Sequence, residues 1–179
     1  MTLGVVQKES RSEAGVTQQE LGEELNLSRS MISEIEAGRR KMPRDVVRKA
    51  TEVLDDGFYA MAAAQEVLGE GWIPKLNNVD LHRSAVREKA LEELQEAMDQ
   101  ITATSSVNRP EPGKHDDLKA VLIECIDAIV CLSHFVAVYC KEYGLSWFGL
   151  WREHRRKMVE RGYIKKKSAP LGSADQVQK

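Results

Sequence analysis

From Leu118 to Tyr143 the chain is apolar on nearly every side of a helical projection, and Gly144 then stops the run. A helix of that kind has to be covered on most of its faces, inside a bundle or at an interface between copies. The run is long enough to cross a bilayer. Glu124 and Asp127 interrupt it, however, and each carboxylate costs about 2.5 to 3.5 kcal/mol at mid-membrane. The expectation is therefore a covered helix in a protein with no membrane partner. His134, alone in this run, reads as a hydrogen-bonded core residue rather than a ligand. Cys125, Cys131 and Cys140 lie in it too, and an odd number without paired spacing fits neither a zinc site nor a disulfide framework. Buried reduced thiols are expected, and with no apolar leader between Met1 and Gln18 the expected location is cytoplasmic.

The rest of the chain reads the same way. Its 179 residues allow one domain or two small ones, and 42% hydrophobic with 30% charged residues is the balance of a globular protein. Nearly every periodic segment has a helical period, and none shows sustained two-residue alternation, so the fold class is all-α. Short helices fill the stretch up to Asp56, where Asp55-Asp56-Gly57 marks a boundary. A helix from Phe58 to Leu68 and the breaker Gly69-Glu70-Gly71-Trp72-Ile73-Pro74 follow as a connector. Leu91, Leu94, Met98 and Ile101 form one stripe of an amphipathic helix from about Leu81 to Ile101, with its charges opposite. Thr102 to Asp117 reads as an exposed loop, and Ser146 to Glu160 as a last helix with Ser146 as its cap. The expected organisation is 1–57, a connector 58–78, a helical domain 79–163, and a basic disordered tail 164–179.

Within the first segment, Thr17-Gln18-Gln19-Glu20 pairs a cap with an acid at the third helical position, and Leu21 and Leu25 share one face. Asn26-Leu27 makes a turn, Ser28 caps a second short helix, and Ile32 and Ile35 point inward. Arg29, Ser30 and Ser33 are left outside. Together with Ile35-Glu36-Ala37-Gly38-Arg39-Arg40 and Pro43, this stretch of about forty residues resembles the Cro/repressor-type regulators, often called the XRE family. The resemblance implies a lambda-repressor-like helix-turn-helix domain that binds double-stranded DNA, in a regulator of phage or prophage type. Its second helix would enter the major groove, presenting Ser28, Arg29, Ser30 and Ser33, with Arg29 able to read guanine bidentately. Gln18 and Gln19, opening the first helix, would meet a phosphate or nearby base edge. Arg39, Arg40, Lys41 and Arg44 would lie along the backbone, adding affinity and salt dependence without sequence information. Five glutamates, Glu20, Glu23, Glu24, Glu34 and Glu36, offset these arginines, so one copy should bind modestly and a homodimer or higher homo-oligomer is expected.

A second constellation is acidic. Glu93 and Glu96 stand one turn apart on the 81–101 helix, and Glu124 and Asp127 repeat that spacing on the next long one. Glu93 and Glu96 lie opposite the apolar stripe, where solvated acids belong. Glu124 and Asp127 interrupt an apolar helix and need compensation. Four converging carboxylates repel unless a hard cation such as Mg²⁺ neutralises them. The pattern Glu92-Glu93-x-x-Glu96, a loop, then Glu124-x-x-Asp127 resembles the MazG-type all-α nucleoside triphosphate pyrophosphohydrolases. That resemblance implies a helical bundle in which Glu93, Glu96, Glu124 and Asp127 hold Mg²⁺ for cleavage of a nucleoside triphosphate, with Lys157 and Arg161 on its phosphates. Three readings stand for the bundle: a dimerisation and nucleotide-sensing module, an enzyme, or an oligomerisation module without metal. Trp147 and Trp151, one turn apart, read as packing rather than base stacking, and Lys165-Lys166-Lys167 as a solvated run.

Overall fold

A computed structural model describes residues 2–69, 72–104 and 116–165. Among these residues there are eight helices and no strand, so the chain is all-α. The chain divides into two compact units, Met1–Trp147 and Phe148–Lys179. Most of the loop expected over Thr102–Asp117, and all but the start of the 164–179 tail, lie outside the described residues.

The first unit opens with α1 (Leu3–Glu13), α2 (Gln18–Leu25), α3 (Arg29–Glu36) and α4 (Arg44–Leu54). The Thr17 hydroxyl accepts from the Glu20 N–H at 3.2 Å while the Glu20 carboxylate accepts from the Thr17 N–H at 2.7 Å, the reciprocal cap the sequence announces. Asn26 closes α2 in the left-handed region, φ 56°, a conformation its short polar side chain tolerates. Ser28 then caps α3 through the Met31 N–H. Leu21, Leu25 and Ile32 join Leu3 and Val6 of α1 and Val47, Ala50 and Leu54 of α4 in one apolar core. Two glycines let backbones approach: a Cβ at Gly4 would collide with the Ile35 carbonyl oxygen, and one at Gly22 would come within 2.6 Å of the Leu27 carbonyl oxygen.

The boundary expected at residue 57 falls at the start of a helix that opens the span expected as a connector, 58–78. Asp56 caps α5 (Gly57–Leu68) through the Tyr59 N–H at 2.9 Å, and Tyr59 and Ala63 lie in the same core as Leu21 and Ile32. Tyr59 is wholly enclosed by that core and ties α5 to it. The segment after α5 is also anchored. The Leu76 N–H donates to His134 Nε2 at 3.1 Å, and Lys75 pairs with Glu9 at 2.6 Å.

His134 belongs to α7 (Asp116–Tyr143), which runs beside α6 (Arg83–Ala103). His134 is a buried, hydrogen-bonded core residue as expected: it bonds the Val130 carbonyl through Nδ1 at 2.9 Å, lies edge-on to Phe58, and burial pushes its pKa down. Against α7, α6 turns a stripe of mostly small residues, Val86, Ala90, Glu93 and Ala97. The stripe expected to face the core, Leu91, Leu94, Met98 and Ile101, lies one residue further round: Leu91, Met98 and Ile101 are exposed, and Leu94 is half-buried. The two stripes sit about 100° apart on one helix, and the smaller residues win because they let two long helices come close. By length and composition alone Leu118–Tyr143 suffices to cross a membrane, yet Val121, Ala128, His134, Ala137 and Val138 are buried within this unit. All three cysteines are free thiols; Cys140 is buried as expected, whereas Cys125 and Cys131 are only half-buried. In the second unit, α8 (Trp147–Glu160) is exposed over nearly all of its length; Trp151 is more than half exposed and lies edge-on to His154, while Trp147, the last residue of the first unit, is buried.

Candidate nucleic-acid interface

α3 is seated by Ile32 and Ile35, both essentially inaccessible, and by Glu36 at its end. Its opposite side carries Arg29 and Ser30, both exposed, and Ser33, half-buried. Ser28, also exposed, spends its hydroxyl on the cap and on Ser30, 3.0 Å away. The first turn of α3 therefore presents one cation, Arg29, and one hydroxyl, that of Ser30, on a rigid base, groups suited to base edges and phosphates. Arg39, Arg40, Lys41 and Arg44 are exposed, in the loop after α3 and at the first residue of α4. Arg40 and Lys41 reach only long pairs, 3.9 Å to Glu34 and 3.9 Å to Glu66. Such pairs hold exposed side chains weakly and leave them free to meet a polyanion.

What holds this surface together is a pair that periodicity does not reveal. Arg11 at the end of α1 clamps Glu36 at the end of α3 through two bonds, 2.6 Å and 3.0 Å, and its remaining nitrogen donates to the Val16 carbonyl at 2.7 Å. Gln18 completes the site: its amide donates to the same Glu36 carboxylate at 2.9 Å. Gln18 is thus half-buried and partly engaged within the fold, bridging the start of α2 to the end of α3. Gln19, exposed, reaches Glu23 at 3.0 Å. Burial alone would raise the Glu36 pKa, but the bonds from Arg11 and Gln18 and the guanidinium charge outweigh it and hold the group below its ordinary value. The pairing spans 25 residues in sequence, and no local pattern announces it.

The acidic constellation assembles in part. Glu93, Glu96 and Glu124 each bring one oxygen within 4.8 Å of the others, with Glu93 buried between α6 and α7 rather than solvated. Asp127 does not join them. It is exposed, about a third of a turn from the buried Val121 and Ala128 side of α7. The sequence also gave no hint that Lys89, one turn before Glu93, ion-pairs with it at 2.8 Å and with Glu92 at 3.2 Å. Those bonds hold Lys89 firmly protonated. Lys157 and Arg161, expected on a substrate's phosphates, belong to the second unit and are exposed there.

No curated protein and no solved structure matches the chain. The N-terminal stretch does match a known family: residues 2–55 fit the model described as a helix-turn-helix domain, and with α2, the Asn26 turn and α3 so arranged, the chain carries a helix-turn-helix DNA-binding domain at its N-terminus.

Proposed function

We propose that the protein is a sequence-specific transcriptional regulator of the Cro/repressor type that reads the major groove with α3 and works as a homodimer. The observation that carries this reading is the first turn of α3, where Arg29 and Ser30 stand exposed on a base fixed by Ile32 and Ile35. An arginine in that position discriminates guanine by about 1 to 3 kcal/mol. Selection of binding sites from a random duplex pool, followed by anisotropy with Arg29→Ala, tests it. The variant should lose roughly ten- to a hundredfold on the selected site and retain its affinity for unselected duplex. An unselective wild type, or an Arg29→Ala protein with unchanged preference, refutes it.

Dimerisation is supported by the outer face of the long helices. Leu118, Leu122, Ile126 and Ile129 recur on one side of α7, and Met98 and Ile101 are likewise exposed on α6. Exposed large aliphatic residues in register along a helix mark an interaction surface. At 1.5 Å per residue α6 is about 31 Å and α7 about 42 Å long, ample for a standard homodimer interface. Two joined copies would bring two α3 helices to successive turns of a duplex, about 34 Å apart.

A second reading has its own support. Three carboxylate oxygens within 4.8 Å of one another can share a single Mg²⁺. Glu93, Glu96 and Glu124 would hold the ion, and in a nucleoside triphosphate pyrophosphohydrolase its chemistry would be to polarise the α-phosphate. Lys89 already neutralises Glu93, so Mg²⁺ would compete with a resident cation and bind weakly. Thermal shift with Mg²⁺ and nucleoside triphosphates on wild type and Glu124→Gln, beside a pyrophosphate-release assay, decides the matter. Release that Glu124→Gln abolishes makes the protein an enzyme. No shift and no release leaves a dimerisation module.

A further inference from the structure

The charge of this chain is unevenly placed. Residues 2–55, the helix-turn-helix domain, hold nine basic and ten acidic side chains, so the element that meets DNA has no cationic surplus. Binding to a duplex depends largely on phosphate neutralisation, and a domain of that charge supplies little of it. The surplus lies elsewhere: Trp147 to Lys165 carries six basic side chains against two acidic ones. All six, Arg152, Arg155, Arg156, Lys157, Arg161 and Lys165, are exposed, and none is drawn into an ion pair among the described residues.

Their arrangement is not that of a uniformly solvated helix. Arg152, Arg155 and Arg156, spaced by three and four, form one edge of α8. Glu153 and Glu160 fall to the side of that edge, and Trp147, Trp151 and Met158 recur on a different face. Arginine presents planar, forked donors that suit phosphate oxygens. An edge of three such groups has the charge and chemistry of a nucleic-acid backbone contact.

We propose that α8 is a second DNA-contacting element, with Arg152, Arg155 and Arg156 on backbone phosphates. The partner is the sugar-phosphate backbone of double-stranded DNA, which the N-terminal domain already selects. An anionic membrane surface is the competing source of phosphate. The edge adds affinity and salt dependence and leaves sequence preference untouched. The inference rests on the DNA-binding reading but not on its sequence-specific part.

The test uses the full chain and a fluorescein-labelled random-sequence 30-base-pair duplex, with the binding constant measured across a series of KCl concentrations. Each phosphate contact contributes about 0.9 to the slope of log K against log salt. Arg152→Gln/Arg155→Gln/Arg156→Gln should therefore flatten the slope by roughly two to three and weaken binding, with unchanged helicity and oligomeric state. The triple lysine substitution at the same positions, which keeps the charge, should retain most of the slope. An unchanged slope in the glutamine variant overturns the proposal. So does loss of binding to phosphatidylserine vesicles in that variant while its duplex slope stays wild type. The regulator reading fails separately: a wild type that selects no sequence, yet whose duplex slope flattens in the glutamine variant, removes that reading and keeps this one.

Discussion

Replacing Arg11 by Met isolates the interaction that fixes α3 against α1. The Glu36 side chain is 2% exposed and accepts two bonds from Arg11 and one from Gln18. Removing the guanidinium leaves a buried carboxylate with one neutral donor, and breaking a buried pair from one side costs about 3 to 5 kcal/mol. For a chain of this size that corresponds to a fall in Tm of roughly 6 to 20 °C, with a matching drop in the urea midpoint followed by circular dichroism. The pH dependence gives a second, signed readout. In the wild type Glu36 is held below its ordinary 4.5, so the stability it contributes is present above that pH and is lost as pH falls through the depressed folded value. In Arg11→Met burial and the neutral side chains of Gln18 and Gln7 remain, the folded pKa rises, and protonation relieves the variant on acidification. The stability gap between the two proteins should therefore shrink from pH 7 to pH 4. Arg11→Met/Glu36→Leu, which removes both charges, should recover most of the loss. A single-variant cost below about 1 kcal/mol, a gap that does not narrow with acid, or a double variant no better than the single would each refute this reasoning.

Other expectations follow from particular contacts. Tyr59 is fully buried and its hydroxyl has no partner among the described residues, so Tyr59→Phe should leave stability unchanged or raise it by about 1 kcal/mol. A clear loss in urea unfolding would contradict this. Gly22→Ala inverts the usual helix rule. Alanine ordinarily gains about 1 kcal/mol over glycine inside a helix, but here its methyl would meet the Leu27 carbonyl oxygen at 2.6 Å, and a net loss of about 1 to 3 kcal/mol is expected. Ile126→Glu, on the exposed face of α7, should convert a dimer to a monomer in sedimentation velocity without lowering helicity. A wild type that sediments as a monomer would refute the interface.

The parts legible in the sequence are those that local chemistry writes. Thr17 with Glu20, Ser28 with the Met31 N–H, and Asn26 at a left-handed turn are signals of three or four residues, and the helices begin and end on them. The inward direction of Ile32 and Ile35 follows from helical period and so leaves Arg29 and Ser30 outside. The Arg11–Glu36 pair and the Lys89–Glu93 pair were not legible, the first because its partners are 25 residues apart. The second is local, but an exposed i to i+4 pair says nothing until one partner is known to be buried. Likewise Gln18 reads as a phosphate ligand from its place at a helix start, and only the fold shows Glu36 within its reach. Membership of α5 in the N-terminal core turned on Tyr59, whose enclosure no composition shift marks.

The reversal of the α6 stripes has a more general cause. Period tells which residues share a side of a helix, and both Val86-Ala90-Glu93-Ala97 and Leu91-Leu94-Met98-Ile101 satisfy it. Size suggests that the larger stripe is the core, because more apolar area is removed from water there. That inference assumes a single chain has only one place to bury a stripe. When two long helices pair through small residues and meet another surface through large ones, the sequence carries two apolar stripes, and the stronger one need not be internal. Glu93 follows the same logic: opposite the large residues it reads as solvated, yet it lies inside the α6–α7 seam, held there by Lys89. The apolar run of α7 is expected to be covered on most of its faces, and within the first unit the described residues bury Val121, Ala128, His134, Ala137 and Val138 on one side of it. Leu122, Ile126 and Ile129 on α7 and Met98 and Ile101 on α6 are exposed within that unit, and the second copy proposed above would cover them with the same stripes and no new sequence.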